Sequence, residues 1–404
     1  MKRIVYRELE GNVGVYGLIL LMGAFVLAGA GSFYYMEHFG HIVTGMNNQI
    51  VWGLPHVFAI FLIVAASGAL NVASIGSVFG KTAYKPMARM SGLLAVALLL
   101  GGLSVLVLDL GRPDRLIVAM TSYNFKSIFA WNILLYNGFM VIVGAYLYLQ
   151  MERNVPKALL KSVGLFAFVW RLLLTTGTGS IFGWLIAREA YDSALMAPMF
   201  IAMSLSFGLA IFILVALTVN GLTNRPFGGA LLARFGKLLA IFAAVVLYFT
   251  LAQHLTSLYA TEHHSYERFI LLDGGIYTQL FWFGHILIGN IAPIFLLLHP
   301  TLGKKRPAIV LSALMIIAGG FAQVYVIVIG GQAFPLMLFP GYEVQSSWMD
   351  GQIGQYAPSL PELMLGLGGV AIAIALAIVG MKVFKIVPKS LADGAVDPHH
   401  SASK

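Results

Sequence analysis

Long apolar blocks separated by short polar connections dominate the chain. They run approximately over residues 13–36, 52–78, 91–110, 127–151, 160–187, 197–220, 236–259, 277–299, 308–331 and 360–384. Each is close to or above the roughly 20 residues that a helix needs to cross the hydrocarbon of a bilayer. Blocks of this length also exceed what a core helix of a soluble domain requires. The pattern predicts an all-α integral membrane protein of about ten transmembrane helices. The first block starts near Val13, is too long for a signal-peptide core and shows no small-residue cleavage site, so it reads as a retained helix.

Composition agrees. Of 404 residues, 59% are hydrophobic and 10% are charged, against roughly 25% charged in a soluble domain; mean hydropathy is +0.86. There is no cysteine, which excludes cysteine-ligated iron–sulfur clusters, c-type haem attachment and disulfides within this chain. The net charge of +9 would suit a nucleic-acid partner if it formed one patch. Instead the basic residues recur between alternate apolar blocks: Lys2, Arg3 and Arg7; Lys81, Lys85 and Arg89; Arg153, Lys157 and Lys161; Arg225, Arg234 and Lys237; Lys304, Lys305 and Arg306; Lys382, Lys385, Lys389 and Lys404. The opposite connections hold only Arg112, Arg115, Lys126, Arg188 and Arg268. This asymmetry predicts both termini on the cytoplasmic side and no nucleic-acid partner; the location expected for the chain is a bacterial cytoplasmic (inner) membrane.

Residues 88–95 (ARMSGLLA) and 233–240 (ARFGKLLA) match at five of eight positions, at an offset of 145. The offset places the third and seventh spans in register with the same orientation. It predicts two four-helix bundles related by a parallel repeat and flanked by one helix at each end. The expected units are residues 1–51 (flanking helix and outer loop), 52–190 (first bundle), 191–331 (second bundle) and 332–404 (outer loop, last helix and tail). Residues 331–359, rich in Gly, Pro and aromatics, read as an ordered outer cap or docking surface. The polar tail 388–404 reads as disordered. No span is clearly broken at mid-membrane.

Ionisable groups at bilayer depth are costly and become functional candidates by default. Asp109 ends the third span, His56 opens the second, Arg171 lies within the fifth, His254 ends the seventh and His285 sits in the eighth. Each also has a structural reading: Asp109 can cap its helix end or pair with Arg112, and a buried histidine can simply satisfy a neighbour. Arg171, His254 and His285 are candidates for a proton path. Tyr123, Asn124, Ser127 and Trp131 lead into the fourth span beside the Asp109 loop. A quinone needs such a combination, an apolar slot with polar groups and a proton donor at the carbonyls. An interfacial aromatic belt accounts for the same residues without a ligand.

The run Asp109-Leu110-Gly111-Arg112-Pro113, followed by Asn124, Ser127 and Trp131 and preceded by Trp52-Gly53, resembles the NrfD-like family of polysulfide-reductase membrane subunits. The resemblance covers roughly residues 50–330, and its extended match after Gly111 looks most like the DsrP branch. It implies a quinone-reactive subunit without haem or iron–sulfur cluster of its own. Such a subunit exchanges electrons between an iron–sulfur protein docked on the outer, periplasmic side and menaquinone or ubiquinone bound as substrate. His56 and Asp109 would serve quinone chemistry, with Arg112, Tyr123, Asn124, Ser127, Trp131 and Tyr136 as further binding candidates and no metal site. Two rival readings remain open: a b-type cytochrome with haem between His254 and His285, and a secondary transporter.

Overall fold

The computed structural model describes residues 4–336 and 351–396. Ten helices long and apolar enough to span a bilayer are present among them. They are α1 (Val13–Phe39), α2 (Leu54–Ser77), α3 (Thr82–Leu108), α4 (Ile128–Met151), α5 (Lys157–Gly183), α6 (Met196–Leu222), α7 (Gly229–Tyr259), α8 (Ile276–Leu298), α9 (Arg306–Ala333) and α10 (Leu360–Val383). The protein is an all-α, multi-pass membrane protein. Residues 337–350 of the expected cap and 397–404 of the tail lie outside the described residues.

The helices α2, α3, α4 and α5 pack in one group and α6, α7, α8 and α9 in another, joined chiefly where α2 crosses α6. The crossing is close because glycine meets glycine. A side chain at Gly68 would overlap the Ser204 carbonyl, and one at Gly208 would overlap the backbone of Gly68 and Ala69. Small residues let membrane helices approach until backbone dispersion contacts hold them. Helix α10 leans on α3 and α2, and α1 lies outside it. Only Val15, Met22, Gly29 and Met36 of α1 are buried, one every seven residues, the seam expected of a left-handed helix pair.

Several spans are irregular. α2 is interrupted at Leu70, and the Ser91 hydroxyl from α3 enters the gap, donating to Ala69 O (2.7 Å) and accepting from Ala73 N (3.0 Å). A borrowed hydroxyl thus replaces a bond of the helix ladder, the usual remedy where lipid offers no partner. The irregularity lies toward the C-terminal end of Leu54–Ser77, which remains one span. α8 carries a π-helical stretch over Leu280–Ile291 and α9 one over Val326–Gly330.

At the end that carries the basic clusters, the tail is ordered as far as it is described. Strand β1 (Tyr6–Arg7) pairs antiparallel with β2 (Val387–Pro388). Leu391 and Val396 are buried. Asp393 accepts from Ala230 N and Leu231 N at 3.0 and 2.9 Å, and a helix start favours such a carboxylate. This corrects two expectations. Residues 388–396 are not disordered, and α7 begins at Gly229, about two turns before residue 236, because Asp393 caps it. The Arg89 guanidinium lies 4.0 Å over the Tyr6 ring. Burial outweighs that cation and raises the Tyr6 phenol to about 12.

Candidate functional site

At the opposite end, α2 begins with Leu54-Pro55-His56, and Pro55 fits the first turn, where no backbone donor is needed. α3 ends at Leu108, with Asp109 as its C-cap. Helix packing brings the two together, and His56 Nδ1 lies 2.7 Å from Asp109 Oδ2. The Asp109 side chain is 0% exposed and that of His56 13%. The approach is off the hydrogen-bonding direction. Neither carboxylate oxygen has a hydrogen-bond partner among the described residues. A buried carboxylate with unspent acceptors is costly, so this pair is poised to take a donor. With Nδ1 turned toward Asp109, the Nε2 edge of His56 is left to face an incoming group.

Trp52 stacks on the His56 ring, with centroids 6.4 Å apart, and meets Phe129, Phe182 and Tyr191 edge-on or tilted at 6.1, 5.9 and 6.4 Å. Its backbone is fixed by Gln332 of α9. Gln332 Oε1 accepts from Val51 N and Trp52 N, both at 2.9 Å, and its Nε2 donates to Trp52 O and Val328 O. Arg188 adds bonds to Gln332 O and Gln49 O, both at 3.1 Å. The second bundle therefore holds the lid of the first. Replacing the buried Gln332 by Leu leaves two N–H groups and a carbonyl unmatched, each worth about 1–3 kcal/mol. A lower Tm in detergent and altered tryptophan fluorescence are expected; an unchanged Tm would refute this role.

The remaining candidates are spread out. Gly111, at φ +69°, turns the chain at the helix end. Arg112 therefore points to Asp114 (3.3 Å, both exposed) and not to Asp109, which corrects the expected pairing. The Tyr123 ring meets that of Phe125 at a tilt, Asn124 Oδ1 accepts from Lys126 N, and Ser127 forms the N-cap of α4. Trp131 is half exposed and donates to Phe125 O. Tyr136 is buried against Thr178, 3.4 Å away. No hydrogen bond, ion pair or ring contact among the described residues links these side chains directly to the His56–Asp109 pair. Phe129, on the same helix, does so through Trp52. Leu110, Ile117, Val118 and Phe125, in the connection between Asp109 and α4, are likewise exposed and apolar.

Arg171 is 2% exposed. It donates to Asn71 Oδ1 (3.0 Å) beside the α2 interruption and lies 4.8 Å from the Phe168 ring centroid. Its Nε and Nη1 have no hydrogen-bond partner among the described residues. His254 pairs with Glu267 (2.7 Å), while His285 meets Thr250 and Asn290 through its two ring nitrogens. Both histidines line one cavity of about 40 Å³. That is too small for a haem, and both His285 nitrogens are engaged, so the residues do not fit the cytochrome reading. Glu267 and Gln332 do not stand out in the sequence, because each sits at a span end among polar or small neighbours.

The family model described as "Polysulphide reductase, NrfD" matches residues 42–336. The "Hdr-like menaquinol oxidoreductase integral membrane subunit" of Archaeoglobus fulgidus is 28% identical over 98% of this chain and 99% of its own. A putative dimethyl sulfoxide reductase membrane subunit of Halobacterium salinarum is 26% identical over 92% of this chain and 90% of its own. A polysulfide reductase polypeptide of Wolinella succinogenes is 23% identical over 71% and 96%.

Proposed function

Since the chain belongs to the NrfD family of polysulphide reductase membrane subunits, we propose that it is the quinone-reactive membrane subunit of a multi-subunit redox complex. The observation that carries this is the buried Asp109 carboxylate, its acceptors unspent, behind a mostly buried His56 stacked on Trp52. The first quinol proton passes to His56 Nε2, where Asp109 balances the imidazolium that forms; once His56 has released that proton to the aqueous phase, it takes the second. The two electrons pass to a partner, leaving quinone; the reverse direction uses the same groups. The exposed apolar residues between Asp109 and α4 give the isoprenoid tail a path from the bilayer.

The name of the Archaeoglobus relative favours a menaquinone-type substrate. To this reading we add four finer assignments: a cytoplasmic membrane, both termini on its cytoplasmic side, an iron–sulfur partner at the Asp109 end, and sulfur metabolism of the DsrP type. Purification from native membranes tests it. Quinone and an iron–sulfur protein should co-elute, and the complex should exchange electrons with a quinol analogue. A complex with neither quinone nor quinol activity would overturn the reading.

A further inference from the structure

The cavity in the second bundle is separate from the His56–Asp109 pair. α7, α8 and α9 supply its polar wall through Thr250, His254, His285 and Gln323, and Glu267 closes it from the segment after α7. Gln323 is 4% exposed. Its Nε2 reaches only Met199 Sδ (3.8 Å), and its Oε1 has no hydrogen-bond partner among the described residues. A buried amide carbonyl in that state calls for a donor. The volume of about 40 Å³ gives room for about three water molecules, and the wall offers each several polar partners. The π-helical stretches of α8 and α9 both border the cavity, supplying His285 and Val326–Ile327. Such widenings of the helix ladder are frequent at functional sites.

We propose that this cavity is a hydrated proton-binding site, in which water joins the Glu267–His254 pair to His285. One proton enters from bulk water and is shared between Glu267 Oε2 and His254 Nδ1, 2.7 Å apart. Thr250, bound to His285 Nε2 at 3.0 Å, and Asn290 at its other nitrogen extend the chain inward. Of the charged and titratable groups nearby, Tyr266 faces Glu267 and Tyr191, and His285 faces His254; Arg188 lies by Tyr191, Glu189 lies by His263 and Glu262, and Arg268 follows Glu267 in the chain. Arg268 is turned outward onto Asp273 at 2.7 Å. Glu189 precedes the cavity-lining Ala190. Burial, more than the opposing pull of His263, raises its carboxyl above the ordinary range.

Infrared difference spectra of the purified full-length chain in lipid nanodiscs, recorded without quinone between acid and alkaline pH, test this. A carboxylic C=O band should titrate in the wild type, persist in Asp109→Asn and vanish in Glu267→Gln. O–H bands sensitive to heavy-oxygen water should be lost in Gln323→Leu. A set of titrating carboxyl bands in Glu267→Gln identical to that of the wild type, with none lost, overturns the site, as do heavy-oxygen-sensitive bands unchanged in Gln323→Leu. If Glu267→Gln does not fold, Glu267→Asp must shift the band, and an unshifted band overturns the proposal. No quinone is present, so the outcome is independent of the function proposed for the first bundle.

Discussion

In an Asp109→Asn variant, quinol-linked turnover falls at least about 100-fold while the complex still assembles, the scale on which a positioned acid–base pair contributes. Asparagine fills the same volume at the C-cap of α3, so packing survives. It stays neutral, however, and the imidazolium formed at His56 then lies 2.7 Å from an uncharged amide. His56→Gln should lose as much, because it removes the group that meets the quinol. The double variant should be no worse than either single one, since the two residues act as a unit. Turnover is measured with a quinol analogue on the assembled complex, with subunit content checked in parallel. Near-normal activity in the assembled Asp109→Asn complex would sink the assignment, as would strictly additive losses.

Gly208→Val is expected to abolish the folded chain. Its side chain would overlap the backbone of Gly68 and Ala69, and backbone does not move aside as a flexible side chain would. Overpacking in a tight core costs about 1–3 kcal/mol and sometimes more. Here the two bundles would have to separate along the α2–α6 crossing. Gly68→Ala should act in the same direction, because it meets the Ser204 carbonyl. Gly17→Ala and Gly144→Ala are the controls, with nothing within 4 Å of the added carbon. They should leave Tm unchanged or slightly raised, in line with helix propensity. The measurement is yield and Tm in detergent across the four variants. A well-folded Gly208→Val protein would show that the crossing is not the joint between bundles.

These two predictions differ in how far the sequence alone supports them. His56 and Asp109 stand out in the chain because ionisable residues at apolar span ends are rare and costly. Their mutual approach is not legible, since α2 and α3 are joined by a loop at the far end of both helices. Arg112 shows the opposite case. Three residues after Asp109 it is a natural partner by spacing, yet Gly111 in the left-handed region turns it onto Asp114. The Gly68–Gly208 contact is equally hidden among the 44 glycines of the chain. Only the crossing separates them from glycines such as Gly17 that face open space.

By itself the sequence determined the ten spans and the all-α membrane class, and it singled out a few polar residues as candidates for chemistry. Those properties follow from transfer of each segment into lipid, which depends on its own residues. Tertiary structure decided what long-range contact decides. It chose Glu267 as the partner of His254, Gln332 as the brace of Trp52, Ser91 as the repair of α2 and Asp393 as the cap of α7. In every case a buried polar group inside or beside the membrane had to find its hydrogen-bond partner on another segment. Local sequence shows that the requirement exists, and the packing of the helices shows who meets it.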